Sequence, residues 1–219
     1  MSSLALMRWL EGSPERYDAG MRVLTFGRIA NLHKAVADAA VDAHGDRILE
    51  IGCGTGSVTT LLLERGAQVT AIDQAPEMLE IAAARVGPAS ADRVEWLEQT
   101  AAEIDKLPRD HFNAVVICLC LSDMSASERA FVLREAALRL VPGGRLVAAD
   151  EVRPAGGWRR ILQSLWRIPQ TPLGWLLVGS VSRPLPDLAG EILTTGLHVC
   201  DQQDWLMGSL SLVVAERER

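Results

Sequence analysis

The sequence predicts an α/β fold, a parallel β-sheet covered by helices on both faces. Three observations point to it. Apolar strand-like runs alternate with amphipathic helical stretches between residues 46 and 150, the pattern that a parallel sheet leaves in sequence. The first run, Arg47-Ile48-Leu49-Glu50-Ile51, passes directly into Gly52-Cys53-Gly54-Thr55-Gly56. Glycines lack a Cβ, so such a turn can bend sharply and approach a ligand closely. About 20 residues on, Gln68-Val69-Thr70-Ala71-Ile72-Asp73 is a second apolar run ending in a carboxylate. An acid at that point of a βαβ unit is placed to accept hydrogen bonds from ribose hydroxyls.

Taken in order, Leu4, Met7, Trp9 and Leu10 open a short helix that breaks near Gly12-Ser13-Pro14. Residues 29–43 carry Leu32, Val36, Ala39 and Ala40 at helical spacing, with Gly45 as a stop. Strand one is 47–51, and helix 57–65 ends at Gly66. Strand two is 68–73. Helix 76–86 opens with Pro76 and sets Glu77 near the positive end of its dipole. Strand three is 94–98. Strand four, 112–120, is almost wholly apolar and therefore central. Its period of two places Cys118 and Cys120 on one face. Helix 127–140 and strand five, 145–149, follow. Residues 186–195 read as a helix ending at Gly196, residues 197–201 and 208–215 as two strands, and Glu216-Arg217-Glu218-Arg219 as a solvated tail.

Composition sets the bounds. A chain of 219 residues suits one domain, 1–219, with a sizeable core. With 48% hydrophobic and 23% charged residues it is globular. A formal net charge of −6 argues against general nucleic-acid binding. No apolar run has the length of a membrane span, and no basic–apolar–small leader opens the sequence. Cys53, Cys118, Cys120 and Cys200 form no C-x-x-C pair and have no His partner at zinc spacing. Reduced, buried thiols in a cytoplasmic protein, and no metal, are the expectation.

Residues 50–56, then Asp73, then Leu140-Val141-Pro142-Gly143-Gly144 before a further strand, resemble the class I S-adenosylmethionine (SAM) dependent methyltransferases. The resemblance is close over residues 45–150 and holds in outline elsewhere. It implies a Rossmann-like seven-stranded sheet of order 3-2-1-4-5-7-6, an N-terminal helical lid over residues 1–45, a helical insert over residues 154–186, and SAM as cofactor. A nucleotide-binding fold with another ligand, or a non-catalytic relative, would share the glycine turn.

Within that resemblance, Glu50 attracts the positive methionine end, since a carboxylate at the first strand's tip suits a cation better than a pyrophosphate. Gly52, Cys53, Gly54 and Gly56 permit close approach. Asp73, with Gln74 beside it, binds the ribose. Met78 packs on the ribose or adenine, or serves the core alone. Many members of the family follow strand three with Gly-Asp-Ala, whose acid holds the adenine amino group. Here Gln99, Thr100 and Ala101 stand there and the acid is missing, so adenine recognition falls to Thr100 or to backbone groups. Leu119, late in strand four, completes the cofactor side.

Substrate-side candidates are Tyr17, Asp123, Glu151 and Arg153. Tyr17, in the pair Tyr17-Asp18, folds over the cofactor as part of a lid, or else caps the core with its hydroxyl in water. Asp123 touches substrate or helps start the following helix. Asp150-Glu151-Val152-Arg153, at the end of strand five, contacts substrate or forms a solvated salt-bridge cluster. Cys120, near the carboxyl end of strand four, is a small packing residue or a reactive thiol.

Between Glu151 and Asp187 there is no acid but five arginines, Arg153, Arg159, Arg160, Arg167 and Arg183, which leaves −11 on the rest of the chain. Trp158, Ile161, Leu162, Leu165 and Trp166 recur at helical spacing opposite Arg159, Arg160, Gln163 and Arg167. The fifteen residues 168–182 carry no charge and are too few to span a bilayer. Such a stretch caps the active site, docks an acidic partner, rests on a membrane surface through 154–183, or merely joins the core.

Arg16-Tyr17-Asp18, Leu24-Thr25-Phe26-Gly27-Arg28, Asp150-Glu151-Val152-Arg153-Pro154 and the Arg/Trp helix together resemble the corrinoid protein-associated methyltransferases. That resemblance implies a corrinoid-carrying partner protein and methyl transfer to its cobalt by direct displacement. The alternatives are a methyltransferase for a small quinone- or lipid-like acceptor, a SAM-binding module without catalysis, and a partner that uses SAM to reactivate a corrinoid.

Overall fold

The computed structural model describes residues 29–154 and 183–219. The expected helix near Leu4, the lid residue Tyr17 and the Arg/Trp helix lie outside the described residues.

Seven strands form one sheet in the order β3-β2-β1-β4-β5-β7-β6. The strands are β1 (Arg47–Ile51), β2 (Gln68–Asp73), β3 (Val94–Glu98), β4 (Phe112–Cys118), β5 (Leu140–Glu151), β6 (His198–Trp205) and β7 (Leu210–Glu216). The first five run parallel. β7 enters antiparallel between β5 and β6, so the chain closes on a hairpin. The chain order reverses between β1 and β4, which makes their carboxyl ends the crevice where an open α/β sheet binds its ligand.

Each strand sends alternate side chains to two separate cores. On one face Ile48, Val69, Val116, Val147 and Leu212 pack under α1 (Ile29–Ala40) and α2 (Ser57–Glu64). Leu79 and Val86 of α3 (Pro76–Val86) join that side. On the other face Leu49, Ile72, Val115, Ile117 and Leu146 pack under α4 (Ala126–Arg139) and α5 (Leu188–Leu193). Residues 29–40, counted by sequence within an N-terminal lid, therefore form a core helix. Leu32 and Val36 of α1 are fully buried, each contributing roughly 1.5–3 kcal/mol by leaving water.

Among the boundaries that differ from expectation, three have a visible cause. β5 begins at Leu140 rather than at Arg145, because Leu140 pairs with Phe112 before a bulge resets the register at Arg145 and Ala114. Gly144 sits where a Cβ would meet the carbonyl oxygens of Asn113 and Val141 at 2.9 Å, so only glycine fits the bulge. β6 runs on to Trp205, its ladder continuing past a second irregularity between Val199 and Asp201. β4 stops at Cys118, because Leu119 takes a left-handed φ of 57°. That turn corrects the reading of the cysteines: Cys118 packs against the core under α1 and Cys120 against the core under α4.

Candidate active site

The rim formed by the carboxyl ends of β1 to β5 divides into two halves. The first surrounds β1, β2 and β3. Alternation turns Glu50 toward α2, where it is 2% exposed and Thr59 Oγ1 donates to its Oε2 at 2.6 Å. Burial pushes its carboxyl up to about 8, the charge of Asp73 adds to that, and the Thr59 hydroxyl opposes it. An acid held so high becomes fully anionic once a cation settles beside it.

The glycine turn is locked to β2. Gly52 N and Cys53 N both donate to Ile72 O, at 2.9 and 3.1 Å. Gly52, Gly54 and Gly56 all have positive φ, but two of them serve different ends. A Cβ on Gly56 would lie 2.8 Å from Ala82 Cβ of α3, whereas one on Gly54 would meet nothing within 4 Å. Gly56 is thus a packing glycine and Gly54 an open one. Gly54 N donates to Asp73 Oδ2 at 2.8 Å and Ala75 N to Asp73 Oδ1 at 3.0 Å. Asp73 is fixed by two backbone donors, and each oxygen keeps a second acceptor site. Cys53 is buried in this turn, and burial, reinforced by the charges of Glu50 and Asp73, pushes its thiol far up, so it is inert.

Past Asp73, Gln74 is exposed and Met78 half-buried in the first turn of α3. Thr100 does not offer the free hydroxyl that the missing acid seemed to require. It caps a 3₁₀ turn over Ala101–Lys106, its N–H and hydroxyl both donating to Glu103 Oε2 at 3.0 and 3.1 Å. Ala101 packs on the core beneath that turn. Gln99 is the polar group sequence reasoning passed over. Its N–H donates to Asp73 O at 3.0 Å, and its buried Oε1 has no hydrogen-bond partner among the described residues. Leu119 is half-buried, and its N–H is spent on Ala149 O at 2.8 Å.

The second half surrounds β4 and β5. Asp150 is fully buried. Ser122 N donates to its Oδ2 at 3.0 Å and Glu151 N to its Oδ1 at 2.7 Å. Burial raises its carboxyl to about 6, the Ser122 side chain and the two backbone donors opposing and the charge of Glu151 adding. Asp123 is exposed, yet partial loss of hydration and the charge of Glu151 raise its carboxyl too. Asp123 is not the cap of the next helix. Ser125 is, accepting from Glu128 N at 3.3 Å while Glu128 Oε2 accepts from Ser125 N at 2.7 Å. Glu151 is half-buried and Arg153 exposed. Cys120, whose thiol donates to Ile51 O at 3.5 Å, is pushed up by burial and is a packing residue.

Residues 48–144 match the family model of a methyltransferase domain. A phosphatidylethanolamine N-methyltransferase of Cereibacter sphaeroides is 31% identical over 170 residues, which cover 77% of this chain and 82% of that protein. The chain belongs to the class I SAM-dependent methyltransferases. A demethylmenaquinone methyltransferase of Thermus thermophilus is 36% identical over 144 residues, 65% of this chain and 64% of that one. A ubiquinone biosynthesis O-methyltransferase of Xanthomonas oryzae is 34% identical over 108 residues, 49% of this chain and 44% of that one. The methyltransferase thus spans under two thirds of the length of these two quinone-named relatives. Among solved structures, a SAM-dependent methyltransferase from Mesorhizobium loti superposes with a TM-score of 0.63 at 22% identity, covering 84% of this chain and 96% of that one. The [4+2]-cyclase SpnF superposes with a TM-score of 0.69 at 20% identity, covering 86% of this chain and 80% of that one. These two are likenesses of fold, and a fold by itself does not fix a reaction.

The first half of the rim fits SAM on its own geometry. The face of Gly54 is open, Asp73 has acceptor sites to spare for two hydroxyls, Glu50 is a buried acid whose charged form a cation would favour, and Gln99 Oε1 is a buried acceptor with no donor among the described residues.

Proposed function

We propose that this methyltransferase moves its methyl group onto a small lipophilic acceptor of the quinone or phospholipid class. The observation that carries the reading is the alignment with the phosphatidylethanolamine N-methyltransferase along 82% of that protein's length, well beyond the SAM-binding core. The quinone-named relatives, which share less of their length, support the same class. So does the sequence itself, with an uncharged stretch at 168–182 beside an Arg/Trp-rich one, a composition suited to a lipid surface. The corrinoid acceptor suggested by Arg16-Tyr17-Asp18, Leu24-Thr25-Phe26-Gly27-Arg28, Asp150-Glu151-Val152-Arg153-Pro154 and the Arg/Trp-rich stretch is the second reading, and it rests on those sequence motifs alone.

When bound, SAM supplies an electrophilic methyl group on a sulfonium. The chain's work is to hold, orient and dry the reactants. Glu50 takes the positive methionine end, Asp73 the ribose hydroxyls, and Gly54 leaves room between them. Gln74, Met78, Ala101 and Leu119 line the cofactor side. On the acceptor side Asp123 and Glu151 stand at the rim. Asp123, with its raised carboxyl, is the group suited to take the proton that a phenol or an ammonium must lose before it can attack. Tyr17, Arg153 and the insert between residues 154 and 183 are the remaining acceptor-side assignments.

The test is transfer of label from methyl-tritiated SAM with three acceptors presented in parallel: vesicles containing phosphatidylethanolamine, vesicles containing a reduced demethylquinone, and a reduced corrinoid protein. Label in the lipid extract supports the reading. Label confined to the corrinoid, or none in any lipid fraction, overturns it.

A further inference from the structure

The acceptor half of the rim is assembled from three stretches far apart in sequence. Leu121–Asp123, a short 3₁₀ turn, leads out of β4. Residues 150–154 close β5 and lead out of it. Residues 183–187 return from the insert. The two ends of that insert are joined to each other: Val152 and Leu185 form a bridge, Leu185 N donates to Glu151 O at 2.8 Å, and Arg153 N donates to Leu185 O at 2.9 Å. The returning segment is joined in turn to the 3₁₀ turn, Arg183 N donating to Ser122 O at 3.2 Å. Ser122 is therefore gripped on both sides of its peptide, by Arg183 through its carbonyl and by Asp150 through its N–H.

A second grip holds the same loop further along. Arg129, in the first turn of α4, donates to Met124 O at 2.9 Å and, as a fork, to both oxygens of Glu191 in α5 at 2.9 Å each. Arg129 is thus a polar tie between the loop after β4 and the helix after the insert. Asp150 is the other. It is fully buried, it points at no solvent, and both oxygens are spent on backbone donors of this rim.

We propose that Asp150 is a positioning residue: through Ser122 N it fixes the loop that carries Asp123 and, with it, the root of the insert, and so sets the acceptor side of the site while leaving the SAM side untouched. The separation follows from the fold. Asp150 lies on the face under α4, whereas Glu50 faces α2. The glycine turn and Asp73 are tied to each other and to β2, and Asp150 makes none of those bonds. A carboxylate suits the task because two converging N–H donors need two acceptor oxygens. An asparagine offers one oxygen and turns an NH2 toward the other donor.

The inference takes from the proposed function only that acceptor enters at this rim, and it is tested on the whole protein in ways that do not need the acceptor's identity. The variants are Asp150→Asn and Asp150→Ala, the former in case the latter does not fold. Affinity for S-adenosylhomocysteine, by calorimetry, should stay within about twofold of the parent. Exchange of the Ser122, Arg183 and Leu185 amides should speed up by about tenfold or more, the ratio that one lost hydrogen bond to a charged group carries. With whichever of the three acceptors the parent protein methylates, the acceptor KM should rise while the KM for SAM holds. A fall in S-adenosylhomocysteine affinity matching the gain in exchange would show a general structural role and overturn the proposal. So would unchanged exchange at Ser122. If the parent methylates none of the acceptors, the proposed function fails, and the binding and exchange results still decide the role of Asp150.

Discussion

The two halves of the rim are built on different plans. The half around β1 to β3, proposed to hold the cofactor, is local: one turn of five residues, one buried acid before it, one acid at the next strand's tip, held by backbone bonds of 2.8 to 3.1 Å. The half around β4 and β5, proposed to meet the acceptor, is a junction of chain segments, in which Ser122, Asp150, Arg183 and Leu185 meet across up to 63 positions of sequence. A ligand common to a family can be met by a short motif. A ligand that differs between members is met by parts that can be exchanged, and loops and inserts at the strand ends are those parts.

The largest effect should come from breaking the glycine turn. Gly56→Val places a Cβ against Ala82 in a backbone of φ 75°, and the left-handed strain and overpacking together should cost about 2–5 kcal/mol of stability by urea unfolding. Gly54→Ala, with open space around its Cβ, should cost about 1–2 kcal/mol of stability, the left-handed strain alone, while weakening S-adenosylhomocysteine binding. Equal losses of stability would erase the distinction between a packing glycine and a ligand-facing one.

Next is Asp73→Ala, which removes two charge-assisted acceptors. Calorimetry should show affinity for S-adenosylhomocysteine falling by tenfold or more, on the order of 1.5–3 kcal/mol. Unchanged affinity would show that the ribose does not lie on Asp73.

The pH dependence sharpens the contrast from the cofactor side. The folded Glu50 carboxyl stands at about 8, above its ordinary 4.5, because it is buried. Its contribution to stability is therefore whole below pH 4.5 and declines as pH rises through 8. Unfolding midpoints should fall across that window in the parent protein and less in Glu50→Gln. If the methionine ammonium lowers the carboxyl again, S-adenosylhomocysteine binding should release a proton at pH 7, seen as a dependence of the heat on the buffer's ionisation enthalpy. Glu50→Gln should abolish that release.

The smallest effect belongs to the thiols. Cys53, Cys118 and Cys120 are pushed up by burial, whereas Cys200 is exposed on β6. Iodoacetamide at pH 8 should label Cys200 first and leave cofactor affinity unchanged. Rapid labelling of Cys120 would restore a reactive thiol to the site.

Some of this was legible in the residues alone. The sheet and its class follow from alternating apolar periodicities. The glycine turn and its two acids could be picked out from their spacing, because Glu50 and Asp73 find their partners, Thr59 and Gly54, within the same strand–turn–helix–strand unit. Local signals also placed Ser57–Glu64 and Pro76–Val86 within a residue or so of their observed ends. What tertiary structure decided are the properties that depend on who arrives from elsewhere. Leu119 turned left-handed and sent Cys118 and Cys120 to opposite cores. Glu103 claimed the hydroxyl of Thr100 and left Gln99 Oε1 as a buried acceptor with no donor among the described residues. Ser122, 28 positions back in the chain, turned Asp150 from one acid among several at a strand tip into the tie that joins two loops. Periodicity reports which way a side chain faces along its own element, and nothing in it reports which foreign N–H or carbonyl will be waiting there.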